Sequence, residues 1–249
     1  MMNDQAQQIA HNIADVRERM AAAARRAGRD PEDVTLIAVT KTYAPRIVAM
    51  AIAAGVADCG ENRVQEAGEK VELLSSENVR WHMIGQLQTN KAKPAVTIFN
   101  MIQSLDSVKL ALELNKRVEQ ASLLGQRRLP VLLEMNVSGE ASKSGFALPG
   151  GLRNHDLLPQ FFEAVEQIVA LPQLAVQGLM TVAPYTDEPD EARPVFRTLR
   201  TLRDELARRV PGASWQHLSM GMTSDFEVAI EEGATMVRVG RAIFGERNT

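Results

Sequence analysis

Cysteine is almost absent from this sequence of 249 residues, in which only Cys59 occurs. A single cysteine cannot form an internal disulfide and supplies no CxxC pair of zinc ligands, so a disulfide scaffold and a zinc module are both excluded. No metal site is predicted, and a reducing, cytoplasmic setting fits this cysteine usage best. Cys59 itself is expected to be a small buried side chain.

Two further absences narrow the class of protein. The chain has no uninterrupted apolar run of membrane-spanning length, and its N-terminus lacks the basic stretch followed by an apolar one that marks a targeting signal. It also has no dense block of lysine and arginine interleaved with aromatic residues, and its net charge is -3. Neither a membrane nor a nucleic acid is therefore expected as a partner.

What the sequence does contain is regular apolar patterning. Residues 4–27 place Ile9, Ile13, Val16 and Met20 at spacings of three and four, and Gly28 follows, which predicts an amphipathic N-terminal helix. Eight short apolar or β-branched runs then predict strands, at residues 34–40, 56–60, 79–85, 99–105, 130–137, 176–182, 215–221 and 235–240.

Helix-like segments separate these runs, and strict alternation of strand and helix indicates a parallel sheet covered by helices. Eight such units in a chain of this length favour a single (β/α)8 TIM barrel, one domain over residues 1–249 with the N-terminal helix as an addition. An open Rossmann-like sheet is the alternative. No GxGxxG follows the first strand, which counts against it.

In a barrel of this kind the loops after the strands form the functional face, and the last two loops frequently bind phosphate. Small, hydroxyl and basic residues follow the last two predicted strands: Ser219, Gly221, Thr223, Gly240 and Arg241. A capping box of Ser224 with Glu227 is expected to open the helix after the first of these loops. The pattern favours a phosphorylated ligand, although such stretches also occur as ordinary turns.

Two cations belong to the strands themselves. Arg238 lies inside the last strand, where an unpaired buried charge is costly, so it must form an ion pair or face a ligand. Lys41 ends the first buried strand in "LIAVTKTYAP" and could reach the surface, balance a phosphate charge, or act as a Schiff-base nucleophile. The cofactor that joins a phosphate to an aldehyde is pyridoxal 5'-phosphate.

A set of ordered motifs resembles one known family. "LIAVTKTYAP", "GENRVQEAGEK", "WHMIGQLQTNK", "SKSG", "GLMTVAP" and "SMGMTSDFEVAIEEGATMVRVGRAIFG" are similar to the pyridoxal phosphate homeostasis proteins of the YggS/PROSC type, which are related to the barrel domain of alanine racemase. The resemblance runs over about residues 30–246. It implies a fold-type III barrel that holds pyridoxal phosphate as a lysine aldimine and maintains the intracellular supply of this cofactor, with no established catalysis.

The resemblance also implies roles for individual residues. Lys41 looks like the Schiff-base lysine, and Arg238 looks like the partner of the pyridine nitrogen. An arginine in that place leaves the ring nitrogen unprotonated and the cofactor a poorer electron sink. The other implied cofactor-binding positions are Asn62, Met180, Ser219, Thr223, Gly240 and Arg241, with His82 and Lys143 as secondary contacts. Solvated or hydrogen-bonded structural roles are the alternatives for the last two.

Competing functions are an amino-acid racemase and a lysine-dependent aldolase. A racemase of this fold needs a second acid/base on the face opposite the lysine. In alanine racemase this group resembles a tyrosine that a C-terminal domain supplies, and we do not expect that domain here. The two tyrosines, Tyr43 and Tyr185, both lie in predicted mouth loops without the expected context. The "VQGLMTV" strand has no lysine for an aldolase. We therefore expect a monomeric carrier whose partners are pyridoxal phosphate and apo-enzymes that use it.

Overall fold

Parallel strands form a closed barrel in this protein. The structure, a computed structural model, describes residues 2–121 and 128–245, so residue 1, residues 122–127 and residues 246–249 of the predicted domain lie outside the described residues. Within these ranges the barrel strands are β1 (Thr35–Val39), β2 (Asp58–Glu61), β3 (Arg80–Met83), β4 (Met101–Leu105), β5 (Leu129–Asn136), β7 (Leu174–Met180), β8 (His217–Ser219) and β9 (Met236–Val239). Each pairs in parallel with its neighbours, and the pairings of β4 with β5 and of β9 with β1 close the ring.

Helices surround the described part of the barrel, which confirms the predicted TIM barrel with an extra N-terminal helix. They are α1 (Met2–Arg26), α2 (Pro45–Ala53), α3 (Val64–Leu73), α4 (Ala92–Ile98), α5 (Val108–Ala121), α6 (Leu158–Val169), α7 (Arg193–Arg209), α8 (Phe226–Glu231) and α9 (Arg241–Phe244). No helix within the described ranges is both long and apolar enough to cross a membrane.

The N-terminal helix α1 joins the two ends of the helical ring. Its predicted stripe, Ile9, Ile13, Val16 and Met20, is buried. This face packs against α8, α9 and α2. The helix closes with a hydrogen bond from the Arg29 amide to the Ala24 carbonyl (2.9 Å). Burying these apolar side chains ties the last βα unit of the barrel to the first.

The strands present different residues to the inside and the outside of the barrel. Their outward side chains form the large core against the helices, whereas a separate small apolar cluster fills the interior: Ile37, Met101, Leu132, Met180 and Met236. Side chains alternate along a strand, so interior positions recur at every second residue. Gln103, Glu134 and Arg238, each two residues beyond a member of this cluster, therefore face the interior on its mouth side.

Two local features differ from the sequence-based expectation. The two-residue strand β6 (Phe146–Ala147) pairs with β5 at Met135 and Asn136 and was not predicted. The predicted capping box is wrong, because α8 begins at Phe226 with Asp225 as its N-cap residue. The Asp225 carboxylate accepts a hydrogen bond from the Met222 amide (2.6 Å), and Glu227 instead pairs with Arg19 (2.8 Å).

Candidate functional site

Lys41 lies in a tight turn directly after β1, at the carboxyl end of the barrel strands, and is half-buried. Its neighbour Thr42 has a φ of 68°, a conformation that side chains with a Cβ rarely adopt. A strained backbone at this point needs support from its surroundings. That support comes from both sides of Lys41.

A buried ionic cluster, here called the Lys70 clamp, holds the two residues that flank Lys41. It consists of Lys70, Glu61, Glu66 and Thr40. The Lys70 ammonium, 2% exposed, donates to the Thr40 carbonyl, to Glu61 Oε1 and to Glu66 Oε1, each at 2.7 Å. Thr40 Oγ1 donates to the same Glu61 oxygen at 2.6 Å. On the other side of Lys41, the Thr42 amide donates to Glu66.

The clamp lies between the sheet and helix α3. Val64, Ala67 and Lys70 form the buried face of this helix, so a lysine occupies an apolar stripe. Burial raises the pKa of the Glu61 carboxyl, while hydrogen bonds from Lys70 and Thr40 oppose that rise. Buried charges are costly unless they are paired. The loss of one charged member of the clamp therefore leaves its buried partner with the full desolvation penalty.

Asn62 follows β2 and is half-buried at the mouth beside the clamp. It approaches the loop after β3 closely, since a Cβ on Gly85 would lie 2.7 Å from Asn62 Cα. Only a glycine fits that contact without a shift of the backbone. The pairing of β2 with β3 therefore fixes where the Asn62 backbone enters the mouth.

Arg238 is buried inside the barrel and is 4% exposed. Its Nη1 donates to Ser219 Oγ at 2.6 Å and its Nη2 donates to the Thr181 carbonyl at 2.8 Å. No carboxylate among the described residues forms an ion pair with it. Burial lowers the pKa of Arg238 to about 10, which Asp225 and Glu134 partly oppose. Since a guanidinium has five N–H donors, Arg238 keeps donors for a ligand acceptor.

Ser219 and His82 are both committed to partners inside the barrel. Ser219 Oγ donates to Gln103 Oε1 at 2.7 Å, in addition to accepting from Arg238. The His82 ring is 2.8 Å from Asp58 at Nε2 and 3.1 Å from Gln103 at Nδ1. The phosphate role of Ser219 and the secondary cofactor role of His82 remain predictions, and the structure gives both side chains hydrogen bonds away from the mouth loops.

The two predicted phosphate loops lie next to each other at the mouth. Gly221 has a φ of 92°, and a Cβ there would lie 2.9 Å from Phe226 Cα, so this loop passes close to α8. In the described chain, the amides of Thr223 and Ser224 donate to no protein acceptor. Gly240 lies beside β1, with its Cβ position 3.3 Å from Val39 Cβ, and the exposed Arg241 begins α9.

Glu134 is a titratable group in the interior that sequence reasoning missed. Glu134 on β5 is 9% exposed, and its Oε2 has no hydrogen-bond partner among the described residues. Burial, with the nearby charge of Asp106, raises the pKa of Glu134 to about 7. It is in register with the fully buried Met180, which lies in the small interior cluster. The signal was a glutamate inside the apolar run "PVLLEMNV".

Lys143 lies over the mouth and is not a freely solvated loop residue. Its side chain is 17% exposed, and Nζ donates to the Val182 carbonyl at 2.9 Å and contacts Glu140 at 3.0 Å. Asn136 shapes this loop by donating to the Glu140 carbonyl at 2.8 Å. Cys59 is fully buried on β2, and burial raises the pKa of its thiol to about 12, so it is a packing residue.

The structure thus brings the predicted residues to one end of the barrel but at two depths. Lys41, Asn62, Lys143, Thr223, Gly240 and Arg241 lie on the loops, whereas Met180, Ser219, Arg238 and His82 lie within the strands. Among the described residues, no group of three or more His, Cys, Asp or Glu side chains is arranged to hold a metal ion. The guanidinium of Arg238 and the backbone amides of the glycine loops together suit an anionic ligand.

Comparison with known proteins gives a consistent result. The profile of the family described as "Alanine racemase, N-terminal domain" matches residues 5–248. A protein of Aquifex aeolicus named pyridoxal phosphate homeostasis protein is 43% identical over 235 residues, which cover 94% of this chain and 96% of that protein.

Solved structures agree with this family. PipY of Synechococcus elongatus, solved with pyridoxal phosphate bound, superposes with a TM-score of 0.77 at 35% identity, covering 95% of this chain and 100% of PipY. An alanine racemase of Clostridium difficile shares the fold with a TM-score of 0.70 at 14% identity. The match covers 98% of this chain and 58% of that racemase.

Proposed function

The chain belongs to the family of pyridoxal phosphate homeostasis proteins, and we propose that it binds pyridoxal 5'-phosphate at the mouth of its barrel and keeps this cofactor available without turning over an amino acid. The observation that carries the proposal is the buried Arg238, a guanidinium with spare donors and no carboxylate partner among the described residues. An unpaired buried cation is costly, so its presence near the mouth end of β9, two residues before Gly240, supports a ligand acceptor there.

The residues of the mouth fit this cofactor. The Thr223 and Ser224 amides have no protein acceptor in the described chain, and together with the Gly240 turn they would hold the phosphate. Arg238 would donate to the pyridine nitrogen, and Asn62 and Met180 would line the ring. Arg241 lies beside the phosphate end, and its backbone is the part we assign to binding.

Lys41 would bind the cofactor covalently. When bound, pyridoxal phosphate supplies an aldehyde that an amine captures reversibly. The Lys70 clamp holds the carbonyl of Thr40 and the amide of Thr42, so the Lys41 side chain starts from a fixed position in the mouth. A fixed starting point lowers the entropic cost of reaching the ligand.

The contacts of the tyrosines support a carrier over a racemase. Tyr43 donates its hydroxyl proton to the Gly245 carbonyl at 3.1 Å and packs on Phe244, with ring centroids 4.5 Å apart. Tyr185 is 77% exposed. A second acid/base must reach the face of the substrate opposite the lysine, and both tyrosines are engaged elsewhere or turned to solvent.

Titration with pyridoxal phosphate tests binding. The wild-type protein should develop a visible absorption band that Lys41→Ala lacks, whereas Lys143→Ala should retain it because Lys143 is not the proposed anchor. An unchanged band in Lys41→Ala would refute the anchor. Loss of optical activity from alanine at about 1 per second or more, an ordinary enzymatic rate, would refute the carrier.

The proposal extends to the location, the oligomeric state and the recipients of the protein. We expect a cytoplasmic monomer that delivers cofactor to apo-enzymes. Mixing the loaded protein with an apo-enzyme, in the presence of a trap for free cofactor, should restore activity. If the trap abolishes the restoration, delivery proceeds through free cofactor and the protein is a buffer alone.

A further inference from the structure

A row of hydrogen-bonded side chains, here called the Arg238 chain, crosses the barrel interior behind Arg238. Arg238 Nη1 is 2.6 Å from Ser219 Oγ, which is 2.7 Å from Gln103 Oε1. Gln103 Nε2 is 3.1 Å from His82 Nδ1, and His82 Nε2 is 2.8 Å from Asp58 Oδ1. All five residues are buried and come from five different strands. They connect the cofactor side of the barrel with its opposite end.

Asp58, at the far end of the Arg238 chain, is a fixed hydrogen-bond acceptor. Asp58 also receives two hydrogen bonds from Arg80, at 2.7 and 2.6 Å. Burial alone would raise the pKa of Asp58, but the hydrogen bonds from Arg80 and His82 outweigh it and hold that pKa below its ordinary value. Asp58 is therefore ionised at neutral pH and can only accept.

Each hydrogen bond between the two ends has only one direction. A guanidinium can only donate, so Ser219 Oγ accepts from Arg238 and gives its own proton to Gln103 Oε1. The Gln103 amide then presents its NH2 group to His82 Nδ1, and His82 carries its proton on Nε2 for Asp58. The amide orientation and the histidine tautomer, which are otherwise assigned by inference, follow here from the two ends.

We propose that Gln103 and His82 are positioning residues for cofactor binding, which hold the Arg238 guanidinium in the orientation that its spare donors need to meet the pyridine nitrogen. The inference rests on the proposed function, since it concerns the same site. Among the described residues, the guanidinium is also restrained by its hydrogen bond to the Thr181 carbonyl. One hydrogen bond leaves an arginine head free to rotate, whereas bonds to Ser219 and Thr181 together fix its plane.

An interior filled for packing alone would need no such chain. Buried polar groups cost stability unless every member is satisfied, and apolar residues of the same size pack without that cost. The neighbouring interior positions Met101, Leu132 and Met236 are apolar. The polar row runs from Asp58 to Arg238 and leaves that apolar cluster beside it.

The experiment compares cofactor release from loaded proteins. Gln103→Leu removes both links, whereas Gln103→Glu keeps the shape and the acceptor for Ser219 but cannot donate to His82. We expect pyridoxal phosphate to leave Gln103→Leu about tenfold faster than wild type, the factor that corresponds to one lost buried hydrogen bond. Gln103→Glu should fall between the two. The visible circular dichroism of the bound cofactor should change in both variants, since it reports ring orientation.

Ile102→Val is the matched control, because Ile102 is the neighbour on β4 that faces the outer core. This substitution removes a buried methylene and lowers stability, but it leaves the hydrogen bonds of the Arg238 chain intact. Its release rate and circular dichroism should stay within twofold of wild type. If Gln103→Leu fails to fold, Gln103→Glu alone carries the comparison.

A double-mutant cycle separates positioning from general loosening. In an Arg238→Gln background, Gln103→Leu should change the release rate by less than twofold, because the residue it positions is already gone. A wild-type release rate and circular dichroism in both Gln103 variants, or an undiminished effect in the Arg238→Gln background, would overturn the inference. A wild-type protein that binds no pyridoxal phosphate would instead refute the proposed function itself.

Discussion

Two walls of the barrel are supported differently. Charged groups support the wall at β1, which leads into Lys41, whereas a row of mainly neutral hydrogen bonds supports the wall at β9, which carries Arg238. The Lys70 clamp lies outside the sheet, against helix α3, and places an ammonium among two carboxylates. The Arg238 chain lies inside the barrel and passes through a serine, a glutamine and a histidine before it reaches Asp58.

The two arrangements differ in what happens when one member is lost. Removal of one partner from a buried ion pair leaves an uncompensated charge, with a cost of about 3 to 5 kcal/mol. Removal of a neutral hydrogen-bonding group leaves a buried donor or acceptor unsatisfied, with a cost of about 1 to 3 kcal/mol. The backbone of the Lys41 turn is strained, and the more costly arrangement lies next to it. Stability and ligand orientation are therefore divided between the two walls.

The largest expected effect comes from the clamp. Lys70→Met should lower the free energy of unfolding by about 3 to 5 kcal/mol at pH 7, because it leaves the Glu61 carboxylate buried without its cation. The loss should be smaller at pH 5 than at pH 7, because burial already raises the pKa of Glu61 and the variant lacks the Lys70 hydrogen bond that opposes this rise. Urea unfolding at the two pH values measures both quantities.

The matched control for the clamp is Lys93→Met on the exposed face of α4, which should change the free energy of unfolding by less than about 0.5 kcal/mol. Equal losses in the two variants would show that the clamp adds no stability beyond that of a surface lysine.

The next effect depends on pH and concerns Glu134 on β5. Its pKa is raised in the folded protein to about 7, so the stability contributed by the neutral carboxyl is complete at pH values below the ordinary glutamate range and is lost as pH rises through about 7. Relative to Glu134→Gln, the wild type should lose on the order of 3 kcal/mol between pH 4 and pH 8, since one pKa unit is worth about 1.4 kcal/mol. Parallel stability curves for the two proteins would contradict this assignment.

Gln103→Leu should have a smaller effect on folding than Lys70→Met. We expect a loss of about 1 to 2 kcal/mol in the free energy of unfolding of the unloaded protein, because the leucine fills the volume but removes the acceptor of the Ser219 hydroxyl proton and the donor to His82 Nδ1. Thermal unfolding measures the loss. If Gln103→Leu proved as destabilising as Lys70→Met, the energetic contrast between the two walls would be wrong.

The smallest expected effect is at the strained residue Thr42. Thr42→Gly removes the penalty of a φ of 68°, about 1 kcal/mol, and adds backbone entropy to the unfolded chain, about 0.5 to 1 kcal/mol. The net change should lie within about 1 kcal/mol of zero. Thr97→Gly in helix α4, where no such strain exists, should be destabilising. A destabilisation of Thr42→Gly as large as that of Thr97→Gly would remove the strain argument.

Sequence periodicity predicted the architecture because the barrel strands are short apolar runs separated by amphipathic helices. It predicted the α1 stripe and the barrel strands to within a few residues. It failed at local capping, where Asp225 competes with Ser224 for the helix start and Glu227 is drawn to Arg19 of a distant helix. It also missed β6, a two-residue strand too short to carry a pattern.

The support behind the site was harder to predict from the sequence. Lys70 shares the face of Val64 and Ala67, and a lysine on an apolar stripe was a readable signal of a buried charge. In the sequence, Gln103 and His82 are recognisable only as polar residues within apolar strands. Their partnership depends on strand register, because His82 pairs with Met101 and thereby places Gln103 beside it, which no spacing along the chain reveals.

The most direct test of the central claim is to identify the residue that carries the cofactor. The protein is loaded with pyridoxal phosphate, the link is made permanent with borohydride, and the labelled peptide is identified by mass spectrometry. We predict the label on Lys41, in the turn that the Lys70 clamp supports. A label on Lys143 or Lys70 with none on Lys41 would contradict the account.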